Sequence, residues 1–350
     1  MLLGAGAPAA AGLPTADGMT EQVIAAVKNS GDSDLSRTLS LVLGGIQFLR
    51  GQQGIFPASS FNIEEVAATI EALRFRHLYQ LSPFVGSWNE ILRLVDSSRE
   101  DRRDCLKELG DLLQDKIKNW LKTPSIGEIR YFQSLQDFVK AFGSIDVFTP
   151  NYDLCMECVL EHCDIPYTCG FDMHGWNSGL FNNSNVKVRI YKLHGSLDWY
   201  RDEEDQAVYS LQAPPEDRIP AADPPPLLIF GTTHKLTATD PFLYLAYTFS
   251  EMVKARRVIA IIGYGFGDEY INHIILQGLS RDSRKRLLVV GKDNEGAQRV
   301  FRERFAQAEI FLDAGRVEFV DGGAKKVLND GILLDRLISA LNEATQEGPF

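Results

Sequence analysis

In "RIYKLHGSLDW" (Arg189–Trp199) a histidine stands directly after a strand-like run, with Gly195 and Ser196 behind it. An imidazole accepts a proton near neutral pH. His194 is therefore either a turn residue or a general base delivered to the mouth of a cleft. A second apolar run, in "DVFTPNYDLCME", ends at Thr149 and leaves Asn151 and Asp153 on the following loop. Asn151 offers a donor and an acceptor, and Asp153 accepts. Together they can grip a carboxamide; alternatively, one of them caps the helix that carries Cys155 and Cys158.

Glycine marks the other chemically suggestive positions. "LLGAGAPAAAGLPT" runs from a short apolar start into Gly4, Ala5, Gly6 and Ala7, reaches Gly12, and gives way to a helix from about Thr20. Glycine lets the backbone turn tightly beside a phosphate, and a helix start favours negative charge. The spacing is not G-x-G-x-x-G, and no acidic residue stands at a strand end about twenty positions on, as a hydride-transfer enzyme requires. "VIAIIGYGFGDEYIN" ends in Gly263, Tyr264, Gly265, Phe266, Gly267 and Asp268. Gly263 and Gly265 are candidates for ligand contact, and Asp268 suits a helix start. "LLIFGTTHK", with Gly231, and "LLVVGKDN" repeat the order of apolar run, glycine and polar loop.

The elements that must position these residues are strands. Met1–Gly4, Ile145–Thr149, Val186–Leu193, Leu227–Phe230, Val258–Gly263, Leu287–Gly291 and Val317–Val320 have strand character. Several are continuous apolar runs, the pattern of parallel strands covered on both faces. The fold class expected is α/β, a Rossmann-like open, mainly parallel sheet. Residues 30–144 differ. Asn62 with Glu65 three residues on resembles a capping box. Leu106, Leu109, Leu113, Ile117, Trp120 and Leu121 fall at three- and four-residue spacing, which predicts an amphipathic helix. The domain expectation is a sheet domain made of 1–29 and 145–345, with 30–144 as a helical insertion. Residues 201–226, rich in proline and acidic groups, read as a surface loop.

Composition narrows the function classes. Of 350 residues 45% are hydrophobic, so a large core is available, and a net charge of −11 argues against general nucleic-acid binding. Arg281, Arg284, Lys285 and Arg286 read as a solvated helix end. The apolar opening lacks a basic start, because the first Lys or Arg is Lys28, so a secretory signal is not expected and a cytoplasmic setting is. No apolar run is long enough to cross a bilayer. Cys155, Cys158, Cys163 and Cys169 cluster with one C-x2-C knuckle, where structural zinc sites pair two; buried, reduced thiols are the expectation, with no metal.

The motifs Gly4-Ala5-Gly6 with Gly12, Pro14 and Thr15, then Thr149, Asn151 and Asp153, then His194-Gly195, then Gly263 to Asp268, resemble in this order the sirtuin-like NAD-binding family. "TPNYD", "KLHGSLDW" and "IIGYGFGDEYIN" resemble its bacterial antiphage-defence branch, whose members hydrolyse NAD. The resemblance implies NAD as substrate, with His194 as general base and Asn151 and Asp153 near the nicotinamide ribose and carboxamide. It implies an NAD-binding set of Gly4, Ala5, Gly6, Ala7, Thr15, Thr149, Gly231, Gly263, Tyr264, Gly265 and Asp268. The pyrophosphate would lie on the first glycine turn and the adenosine side on Gly263–Gly267. It further implies a homo-oligomer with a protein partner, such as a HerA-type hexameric ATPase or an Argonaute-type protein. Three departures are visible. Pro8 stands where the family usually has Ser, Pro14 is followed by Thr15 and Ala16 rather than a Phe-Arg pair, and the deacetylase zinc module after His-Gly is absent. The last two disfavour NAD-dependent deacylation. A signalling module that binds NAD or ADP-ribose, its catalysis impaired by Pro8, is the non-enzyme alternative.

Overall fold

A computed structural model of the chain describes residues 1–52, 54, 61–75, 104–202, 204–215, 224–230 and 239–346. The contacts divide it into two units, Met1–Leu13 with Lys122–Phe350, and Pro14–Leu121.

The first unit is built on a seven-stranded sheet: β1 (Leu2–Leu3), β2 (Ile145–Thr149), β3 (Tyr167–Thr168), β4 (Val188–Lys192), β5 (Val258–Ile262), β6 (Arg286–Gly291) and β7 (Val317–Asp321). Their spatial order is β7-β6-β5-β1-β2-β4-β3, and every pairing is parallel. The continuous apolar runs behave as expected. Val147, Ile190, Ile261, Ile262 and Leu287 are fully buried, because helices cover both faces of the sheet. The short β1 lies between β2 and β5, with Leu2 in register with Phe148 and with Ile261. The chain passes from β1 to β2 on one side and later to β5 on the other, so the topological switch falls beside β1. In open α/β sheets, ligands bind beyond the carboxyl ends of the strands at this point.

Two expectations about this unit are corrected. Leu227–Phe230 is not a strand of the sheet. Leu228 forms one antiparallel bridge with Gly195, and Leu227 donates its N–H to the Trp199 carbonyl at 2.7 Å. An apolar run resembles a buried strand whether it joins the sheet or crosses a loop. Nor is 201–226 simply a surface loop, since Trp199–Arg201 and Val208–Ser210 form an antiparallel ribbon in which Val208, Tyr209 and Ser210 are buried.

The suspected basic cluster is largely engaged. Lys285 is buried and donates to the carbonyls of Lys254 and Arg256, at the end of the Phe242–Ala255 helix, and Arg284 pairs with Asp282 at 3.2 Å.

In the second unit the helices Ala16–Asn29, Ser33–Gln52, Ile63–Arg74 and Cys105–Trp120 pack together. Leu106, Leu109, Leu113 and Ile117 are buried at the expected helical spacing. Asn62 caps its helix by accepting from the Glu64 N–H at 2.8 Å, while Glu65 pairs with Arg50 rather than closing a capping box. The unit boundaries differ from the sequence expectation. The Ala16–Asn29 helix packs on the other three helices, so it joins the helical unit. Residues 122–144 join the sheet unit, where Tyr131, Phe132, Leu135 and Phe138 are buried.

Candidate functional site

The carboxyl ends of β1 and β5 interlock backbone to backbone. Gly4 donates its N–H to the Ile262 carbonyl at 2.9 Å, and Gly6 donates to the Gly263 carbonyl at 2.7 Å. A Cβ on Gly4 would lie 2.5 Å from the Tyr264 Cα, and one on Gly263 would lie 2.3 Å from the Ala7 nitrogen. Gly263 also has φ +63, the left-handed region that glycine tolerates best. Gly4, Gly6 and Gly263 are thus required by each other. Gly265 and Gly267 are exposed, and a Cβ there would meet no atom within 4 Å.

After Gly4 the chain makes a four-residue helical turn, Gly6–Ala9. The Gly6 and Ala7 N–H groups already donate to backbone carbonyls, and Pro8 has none. The turn therefore offers fewer donors to a pyrophosphate than the sequence suggests. Pro8 sits in the first turn, where a missing N–H breaks no helical hydrogen bond. Tyr131 holds the turn in place through its hydroxyl, which donates to the Ala7 carbonyl at 2.7 Å. Burial, with Cys155 and Asp153 nearby, pushes the Tyr131 phenol above its ordinary range and keeps it a donor.

The end of β2 is tied to β1. The Thr149 hydroxyl donates to the Leu3 carbonyl at 2.9 Å and accepts from the Asn151 N–H at 3.0 Å. The half-buried Asn151 turns its Nδ2 to the Gly4 carbonyl at 3.0 Å. Asp153 faces its own helix: its Oδ1 accepts from the Cys155 N–H at 3.1 Å. Burial first, and then the Asp153 carboxylate, hold the Cys155 thiol well above its ordinary range. Asp153 thus braces the turn into the Cys155–His162 helix, whose N-cap is Leu154.

His194 follows the end of β4 and is 4% exposed. Its Nε2 lies 2.9 Å from Oδ2 of Asp268, which is 8% exposed. The other oxygen of Asp268 caps the Glu269–Arg281 helix, accepting from Tyr270 at 2.9 Å and Ile271 at 3.2 Å. One carboxylate therefore starts a helix and orients an imidazole. A carboxylate on Nε2 places the ring proton there and leaves Nδ1 as the basic nitrogen of the neutral ring. The sequence suggested Asp268 as a cap or an NAD contact; the pairing with His194 spans 74 positions and has no local signature. Gly195 has φ +91, and a Cβ there would lie 2.1 Å from the Leu227 carbonyl oxygen.

The loop that carries Asp268 is held by two residues. The Tyr264 hydroxyl donates to the Asn272 Oδ1 at 3.1 Å and accepts from the Asp268 N–H at 3.2 Å. Asn272, which sequence reasoning missed, donates to the Phe266 carbonyl at 2.9 Å. Tyr264 is thus an internal clamp. Thr15 belongs to the helical unit, directly before the Ala16–Asn29 helix, and Gly231 lies outside the described residues. His194, Asn151, Thr149, Gly4, Gly263 and Asp268 are brought to one edge of the sheet. A cavity of about 510 Å³ lies elsewhere, lined by residues that include Arg130, Gln133, His162 and Asp164. Among the described residues, no group of three or more His, Cys, Asp or Glu is placed to hold a metal ion, and no helix is long and apolar enough to cross a membrane.

Residues 146–312 match the family model described as a SIR2-like domain. The matched stretch takes in Asn151, His194 and Asp268. No curated protein matches. Similar solved structures include a mutant Sir2 homologue in complex with 2'-O-acetyl ADP-ribose, at 13% identity over 97% of this chain and 91% of that one, with a TM-score of 0.43. Another is a Sir2 homologue in complex with NAD, at 15% identity, 97% and 89% coverage and a TM-score of 0.40.

Proposed function

We propose that this protein hydrolyses the bond between nicotinamide and ribose in NAD, releasing nicotinamide and ADP-ribose. The observation that carries the reading is the buried His194–Asp268 pair, set beside Asn151 at the topological switch of a parallel sheet, within a stretch that matches a SIR2-like domain. The pyridinium leaves as a neutral base, so the reaction needs no acid. The ribose passes through an oxocarbenium-like state. Water adds to the anomeric carbon and its proton passes to the His194 imidazole, while Asp268 steadies the imidazolium through Nε2. Asn151 orients the carboxamide or ribose, and its link to the Gly4 carbonyl fixes its place. Asp153 braces this loop by accepting from the Cys155 N–H.

The chain has no Phe-Arg pair after Pro14 and no zinc module after His194, so hydrolysis is preferred to acyl-lysine chemistry. Incubation with NAD followed by chromatography for nicotinamide and ADP-ribose tests the reading. His194→Ala should lower turnover by at least about a hundredfold; unchanged turnover overturns it. Nicotinamide released only when an acyl-lysine peptide is present would establish deacylation instead. Tight NAD binding with no product would establish a signalling module. The reading extends to a regulated, cytoplasmic effector that depletes NAD in antiphage defence, working as a homo-oligomer with a HerA-type or Argonaute-type partner. That extension rests on the sequence resemblance alone.

A further inference from the structure

One buried cation is not used by this mechanism. Lys192, the last residue of β4, is 1% exposed, and its ammonium donates to the carbonyls of Tyr152 and Asp153 and to Oε1 of Glu157, the last at 2.9 Å. Glu157 is 2% exposed and also accepts from the Cys169 thiol at 3.8 Å. Burial opposes the Lys192 ammonium, but Glu157, Asp153 and Asp198 together outweigh it and hold its pKa above the ordinary lysine value. A buried ion pair adds little net stability, because desolvation offsets the attraction, and apolar pairs of similar volume often serve as well. Stability therefore does not explain a lysine here.

Its geometry does. The ammonium ties the loop after β2, which carries Asn151 and Asp153, to the strand that ends two residues before His194. Two backbone bonds join the same pieces: Leu193 donates to Thr149 at 2.8 Å and Leu197 to Tyr152 at 3.1 Å. These two bonds flank His194 in sequence. Among the described residues, it is Lys192 that holds the Asp153 carbonyl, which neither of these two bonds reaches.

The geometry points to Lys192, with Glu157 as its counter-ion, as a positioning residue that fixes the Asn151–Asp153 loop in register with His194. The inference rests on the NAD-cleavage reading for its kinetic consequence but not for its structural one. The test is the double variant Lys192→Met with Glu157→Leu, which removes both members of the ion pair together. Loss of the donor to the Asp153 carbonyl should lower stability by no more than about 1–3 kcal/mol, while kcat for nicotinamide release falls by about a hundredfold, the scale of an ångström of misplacement. Amide hydrogen exchange at 151–157 should become at least about tenfold faster. Unchanged kcat and unchanged exchange would overturn the proposal. If the parent releases no nicotinamide, the function reading fails, and the exchange comparison alone still decides the role of Lys192. If the apolar pair does not fold, Lys192→Gln with Glu157→Gln keeps a donor of shorter reach, and the same exchange comparison applies.

Discussion

The two oxygens of Asp268 do different work, and substitution can separate them. Asparagine is a good helix cap but carries no charge. Asp268→Asn should therefore keep the Tm within a few degrees while nicotinamide release falls, as judged by a thermal melt beside the chromatographic assay. Asp268→Ala should lose the same activity and a further ~1 kcal/mol of stability through the lost cap. Equal melting of the two variants would show that the cap contributes nothing. Tyr131→Phe should cost about 1–3 kcal/mol, the penalty for a buried carbonyl left unpaired at Ala7. At this scale the sequence disclosed the actors but not their partners. His194 and Asn151 were legible because a polar residue after an apolar run stands at a strand end. The His194–Asp268 pair, the Tyr131 bond to Ala7 and the Lys192–Glu157 pair were not, since each joins segments whose separation leaves no local pattern.

Among the elements, the glycine-rich turns divide sharply. Gly263 is hemmed in by Gly6 and Ala7 and has positive φ, so Gly263→Ala should add strain of about 1–3 kcal/mol and push the β1 and β5 turns apart. Gly265→Ala meets open space and should leave the Tm unchanged. Chemical denaturation of the two variants side by side checks the contrast. The sequence treated both glycines alike, as places where a ligand approaches closely. The sheet strands were legible because their apolar runs are continuous. Leu227–Phe230 carries the same signal yet forms only the bridge beside Gly195, because composition reports burial and not the partner. The β3 strand was missed because its two residues, Tyr167 and Thr168, are too few to show a period.

For the molecule as a whole, the clustered cysteines invite a metal, and their surroundings argue against it. Burial and neighbouring carboxylates raise the thiols of Cys155 and Cys169, which keeps them protonated and poor metal ligands. EDTA should leave both the Tm and NAD turnover unchanged; a loss of either would reveal a metal on which the fold or the chemistry depends. The net charge and the parallel sheet were readable from composition and periodicity. The division into units was only partly readable, because Ala16–Asn29 follows directly on the first glycine turn yet packs with other helices.

The interlock of Gly4 and Gly6 with Gly263 also bears on how the protein is made. The two halves of this joint, Gly6 and Gly263, are far apart in the chain, and β1 sits between strands that are translated after it. At roughly 5–20 residues per second, a ribosome needs some tens of seconds to deliver the second half. Until then the emerging chain carries His194 but not Asp268, and its first turn has nothing to close against. If His194 and Asp268 cleave NAD as proposed, the reactive centre is completed only after Asp268 has left the ribosome, and the nascent chain is inert until then.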